Sequence, residues 1–257
     1  MVVIGLAFLI ATRKSGGSSA PRSAAPPALV AKVTSIPASV FTQVGAGTAT
    51  LPKAIKAPAL ANGGKPRVVY IGAEYCPYCA TERWPMVIAL SRFGSFTGLG
   101  VTHSSSVDVF PSTNTFSFYG STYTSAYLSF EPVELNTNQI AGNGGYKTLE
   151  TPTAEQQQLL ATYDAPPYVS AASANAIPFI DFGGRFLISG ATYDAAVLQG
   201  KSADEIASAL YDPTSAISRG AVGTANAMTA ALCTLTAGKP ASVCASPTIT
   251  QLQSRLG

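Results

Sequence analysis

The stretch Arg67-Val68-Val69-Tyr70-Ile71-Gly72-Ala73-Glu74-Tyr75-Cys76-Pro77-Tyr78-Cys79 decides how this chain folds. Its first seven residues are β-branched and apolar, the composition of a buried strand. Pro77 suits the first turn of a helix, where its missing N–H has no intrahelical partner to lose. Cys76 then stands at a helix N-terminus, whose free N–H groups and partial positive charge favour a thiolate. Cys79, three residues on, shares its face and can close a disulfide with it. A strand that turns through C-x-x-C into a helix is an arrangement built for dithiol redox chemistry.

A metal site is the first competing use of such a pair. A structural zinc site needs four Cys or His ligands. The chain offers only Cys233, Cys244 and one histidine, His103, beyond the motif. Cys233 and Cys244 are too far apart in sequence for a second zinc knuckle. No metal and no cofactor are therefore expected, and an inert structural disulfide is the plainer alternative to redox chemistry. Cys233 and Cys244 form a local pair of their own: one ends a helical pattern and the other follows a turn at Gly238-Lys239-Pro240. A bridge there would staple a short loop and contribute roughly 3 kcal/mol. Two unpaired core thiols are the alternative. Structural bridges persist in oxidising compartments, so cysteine usage points outside the cytoplasm.

Charged residues make up only 11% of the chain and hydrophobic ones 47%, which excludes global disorder. A net charge of +3 gives no reason to expect a nucleic-acid partner. The charge is unevenly placed: no acidic residue precedes Glu74, whereas Arg13, Lys14, Arg22, Lys32, Lys53, Lys56, Lys65 and Arg67 do. A basic stalk of this kind suits an anionic lipid surface, or is simply a solvated linker. Residues 1–12 are apolar but shorter than the roughly 20 residues a spanning helix needs. They read as a truncated membrane anchor, which would leave the protein tethered and facing outside the cytoplasm, or secreted. Residues 13–36, rich in Ser, Ala, Pro and Gly, read as a linker.

The folded domain is expected over 37–257. A short helix over Ala38–Gln43 closes at Gly45, and the motif helix continues over Ala80–Phe93 with Pro85 bending it. Leu99–Val109 suits a second strand. Residues 110–174 read as a Tyr-rich, partly β insertion that ends in a helix over Thr153–Tyr163, with Thr151 or Thr153 as cap. Two apolar runs, Asn175–Phe182 and Arg185–Gly190, are joined by Gly183-Gly184 as a β-hairpin. Pro178 opens the first of these strands, an unusual place for proline. Helices fill 203–257. Glu82 and Arg83 read as a solvated helix face beside one core aromatic, Trp84, with a substrate site as the alternative, and His103 as a surface or satisfied histidine near a strand end, with catalysis the lesser reading.

Strand, C-x-x-C, helix, strand, then Ile177-Pro178 entering a hairpin and a terminal helix resembles the thioredoxin order. That resemblance implies an α/β, thioredoxin-like fold: a central mixed sheet flanked by helices, an insertion between the βαβ and ββα halves, and a helical C-terminal extension. It also implies a cis peptide at Pro178, lying against the cysteine pair. Tyr70 through Ala80, with Glu82-Arg83-Trp84, Ala89 through Gly94, Phe116 through Ser121 and Cys233 through Cys244, resembles the uncharacterised domain-of-unknown-function 929 family. This resemblance implies an extracytoplasmic placement and names no substrate.

The expected function is thiol–disulfide exchange with protein substrates and an unidentified redox partner. Cys76 is the expected nucleophile and Cys79 the resolving thiol, with Ile177, Pro178, Pro77 and Tyr78 shaping the substrate cleft. Glu74 and Glu82 would raise a thiol's pKa and Arg83 would oppose them, so sequence leaves the net sign open. A redox-inert binding protein and a copper or zinc carrier are the other classes the motif admits.

Overall fold

Lys65–Gly72 is the middle strand of a mixed sheet in this computed structural model, which describes residues 22–256 apart from Asn143. Phe179–Phe182 runs antiparallel to it, with Phe179 opposite Ile71 and Phe182 opposite Val68. Phe186–Ser189 continues the sheet as the second arm of the hairpin, and Lys53–Ala54 edges it. Gly183 and Gly184 both have positive φ, which is why two glycines stand at that turn. On the other flank Ser129–Glu134 lies parallel to the middle strand, with Arg67 opposite Ser129 and Gly72 opposite Glu134.

Both faces of the sheet are covered. Alternate residues Val68, Tyr70, Ile180 and Phe182 share one core with the motif helix, Pro77–Ser91, and the long helix Ala216–Leu235. Val69, Ile71, Val133, Phe179 and Leu187 form a second core against Leu159 of the helix Ala154–Tyr163. A strand buried on both sides has no polar face, which accounts for the unbroken apolar run in the sequence. Thr153 caps the Ala154–Tyr163 helix in a reciprocal capping box with Gln156. The helix Ala38–Val44 ends at Gly45 as expected. The C-terminal region holds Ala203–Ala209, the long helix, Ala241–Cys244 and Pro247–Gln253.

Pro85 sits inside the motif helix, which continues through it. Proline cannot donate to the carbonyl four residues back, so Thr81 needs another donor. The Tyr193 hydroxyl supplies it at 3.0 Å. Tyr193 reaches that position by lying against Gly220, where any Cβ would come within 2.3 Å of its ring.

Three expectations are corrected. The second strand of the parallel pair is Ser129–Glu134, not Leu99–Val109; only Gly100–His103 of that stretch is strand, and it pairs with Asn114–Ser117 and Ser23–Ala24 in a separate small sheet. The excursion therefore falls between the motif helix and its parallel strand, rather than after the pair over 110–174. Ser129–Glu134 hides its character because two of its six residues are glutamates, each held by an arginine: Glu131 by Arg67 and Glu134 by Arg83. The third correction concerns the linker, whose later part is helical over Pro27–Thr34, with Leu29 and Val33 buried. Pro27 opens this helix at a position that needs no N–H. The apolar segment 1–12 and residues 13–21 lie outside the described residues. Among the described residues no helix is long and apolar enough to cross a membrane.

Candidate active site

Cys76 is the N-cap of the motif helix, and the Cys79 backbone N–H donates to its Sγ at 3.3 Å. This is a helix-capping bond with sulfur as acceptor, and it strengthens when the sulfur is an anion. The Cys79 thiol, donating to the same sulfur, holds Cys76 below the ordinary thiol range against the opposing pull of burial. The Cys79 and Tyr78 amides and the Arg83 charge act in the same direction. Burial drives Cys79 the other way, well above the usual range. The two sulfurs, both thiols in this structure, are thus unlike: one is an easily formed anion, the other a reluctant one.

Pro178 is preceded by a cis bond and is buried, and the Ile177 carbonyl oxygen lies 3.6 Å from Cys76 Sγ. Two segments a hundred residues apart in sequence thus meet at one sulfur. Pro77 is buried in the first helical turn. Tyr78 is 40% exposed and meets the Phe110 ring edge-on. Tyr75 stacks on Tyr146, with ring centres 4.0 Å apart. Cys233 and Cys244 are bonded to each other, with Cα atoms 5.5 Å apart, and join the long helix to Ala241–Cys244. His103 contacts the Ser104 carbonyl through Nδ1. A cleft of about 1050 Å³ is lined by Lys53, Lys56, Tyr168 and Arg185 and contains neither motif cysteine.

Glu82 and Arg83 are not a solvated face: both are fully buried, as is Trp84. The helix is enclosed by the sheet, by the long helix and by the excursion, so its charges are met by specific partners. Arg83 binds Glu134 through two hydrogen bonds of 2.8 and 2.6 Å and also donates to the Ala73 carbonyl. Its remaining terminal nitrogen, Nη1, has no partner among the described residues. Glu82 accepts from the Thr192 N–H and hydroxyl, and burial pushes it up to about 7. Glu74 accepts from Ser117 and Arg22. The leading causes of the Cys76 shift include neither glutamate, and the sign that sequence left open resolves downward.

Behind Cys79 lies a residue the sequence reading passed over. Tyr70 projects to the same side of the strand as Gly72, and both its hydroxyl and Cys79 Sγ crowd the point where a Gly72 Cβ would be, at 2.1 and 3.1 Å. Strand alternation from Gly72 was the available signal. Nothing in the sequence marked Tyr70 as more than core.

The family model described as "Domain of unknown function (DUF929)" matches residues 53–234. The chain belongs to this family. No curated protein and no solved structure matches it. In this DUF929 chain the matched span holds the motif, Tyr70, Arg83, Glu134 and Pro178, and ends just past Cys233, before its bridge partner Cys244.

Proposed function

We propose that this protein is a thiol–disulfide oxidoreductase acting on exported polypeptides, built on a thioredoxin-like fold. Support for the fold comes from strand order. The motif strand, its helix and a parallel strand make one half, and an antiparallel hairpin with a terminal helix makes the other. The helix that follows the parallel strand covers the opposite face. The observation that carries the function is the unequal cysteine pair at the helix N-terminus, facing the Ile177 carbonyl.

In the reducing direction the Cys76 thiolate attacks a substrate disulfide, and one substrate sulfur leaves with the electron pair of the broken bond. Cys79 then attacks Cys76 Sγ in the mixed disulfide. The Cys76–Cys79 bond forms, and the second substrate sulfur leaves and takes up the proton Cys79 gave up. The reverse sequence oxidises a substrate. An oxidising compartment is favoured by the Cys233–Cys244 bridge.

The test is the equilibrium reduction potential of the Cys76–Cys79 pair in the full chain, with Cys233 and Cys244 followed separately by alkylation and mass mapping. A value between about −270 and −120 mV is expected, and its position within that range gives the direction. A pair that resists reduction until the fold melts would make the bond structural and leave a redox-inert binding protein.

A further inference from the structure

We infer that the Tyr70 hydroxyl is a positioning residue that stabilises the Cys79 thiolate during the resolving step, an inference that rests on the dithiol reading above. Tyr70 is fully buried, and among the described residues its hydroxyl has no hydrogen-bond partner. A buried hydroxyl left unpartnered opposes folding, and phenylalanine would fill the same space without that penalty. Packing alone therefore favours Phe at this position, and the oxygen needs another reason. Its surroundings supply one. It shares the Gly72 niche with Cys79 Sγ, and glycine keeps that niche open, since a Cβ would displace the hydroxyl or crowd the sulfur.

The groups facing Cys79 are mostly of one kind. The Ala73 amide and the Arg83 guanidinium both favour its anion, and Arg83 keeps Nη1 unpaired. Glu134 is occupied by Arg83 and by the Phe118 N–H, and Glu74 by Ser117 and Arg22. Burial and the Cys76 sulfur oppose Cys79 ionisation, and Cys76 loses its own negative charge once it is in a mixed disulfide. Cys79 then meets donors: an amide, a guanidinium and a phenol. Burial keeps that phenol protonated, so it serves as donor and not as base. Donors aimed at a charge that develops only during reaction accelerate the step that develops it. In that step Cys79 gives up its proton to solvent, its sulfur bonds Cys76 Sγ, the bond from Cys76 to the substrate sulfur breaks, and that sulfur departs with the electron pair as a thiolate. Tyr70 keeps its own proton throughout.

The experiment uses the fully reduced full chain and an aromatic disulfide, 5,5′-dithiobis(2-nitrobenzoate), in stopped flow. Attack by Cys76 releases the first coloured thiolate and attack by Cys79 the second. Tyr70→Phe should leave the first release within about twofold, slow the second at least tenfold, and move its pH midpoint upward, while Tm holds or rises. A second release of unchanged rate and midpoint in a folded variant would overturn the inference. If Tyr70→Phe does not fold, 3-fluorotyrosine placed at 70 supplies a more acidic donor and should speed the second release; no change would overturn it equally. A wild-type protein that gives no second release would overturn both this inference and the dithiol reading. The two failures are therefore distinguishable.

Discussion

The two motif sulfurs, three residues apart, differ in what each can do. Cys76 receives hydrogen bonds at a helix end, and Cys79 is enclosed. Iodoacetamide should therefore alkylate Cys76 with a midpoint below the ordinary thiol value, while Cys79 stays unmodified near neutral pH; equal labelling in a mass map would refute the asymmetry. Tyr193 is a second residue whose function is local. Tyr193→Phe leaves the Thr81 carbonyl unpaired in the core and should cost about 1–3 kcal/mol in urea unfolding. Gly220→Ala, which in an open helix would stabilise by up to about 1 kcal/mol, should here destabilise because the Tyr193 ring occupies the space. The cysteines were legible because local spacing alone placed them. Tyr70, Tyr193 and Glu134 were not, because each acquires its role from a partner distant in sequence.

Elements were legible in proportion to how far their burial was apolar. The motif strand, the Gly-Gly hairpin and the capped helix after residue 153 carry their own signals. Ser129–Glu134 does not, since a strand whose acids are neutralised by Arg67 and Arg83 looks like a surface loop. The helix Pro27–Thr34 was obscured by Pro and Ala neighbours that also suit a tether. Its burial of Leu29 and Val33 predicts that a protein trimmed to begin at Ser35 loses about 3–6 kcal/mol, at roughly 1.5–3 per side chain; an unchanged urea midpoint would show the helix to be dispensable. At the other end, replacing Cys233 and Cys244 together by Ala should cost roughly 3 kcal/mol. Cys76 reactivity should not change, and a shifted alkylation midpoint would contradict that separation.

Across the whole molecule the unusual property is how much charge lies inside a chain with little charge. Glu82 lies fully buried with its ionisation pushed up to about 7 from the usual carboxylate value. A raised carboxylate stabilises the native state below its unfolded pKa, and that contribution is lost as pH rises through the native value. Stability should therefore fall between about pH 4.5 and 7 by on the order of 3 kcal/mol from this residue, and Asp181, at about 6, adds the same sign. Glu82→Gln should flatten that slope and be the more stable form at pH 8; parallel pH profiles in urea unfolding would assign the trend elsewhere. Composition announced a large core, but the ion pairs within it stayed hidden because a sequence lists charges without their distances. The strand order carries one last consequence, for synthesis. The middle strand emerges from the ribosome before either long neighbour, because Ser129–Glu134 and Phe179–Phe182 both follow it. Until the hairpin has been translated, the middle strand lacks its antiparallel neighbour, and Cys76, just beyond that strand, lacks the Ile177 carbonyl and is open to any disulfide it meets.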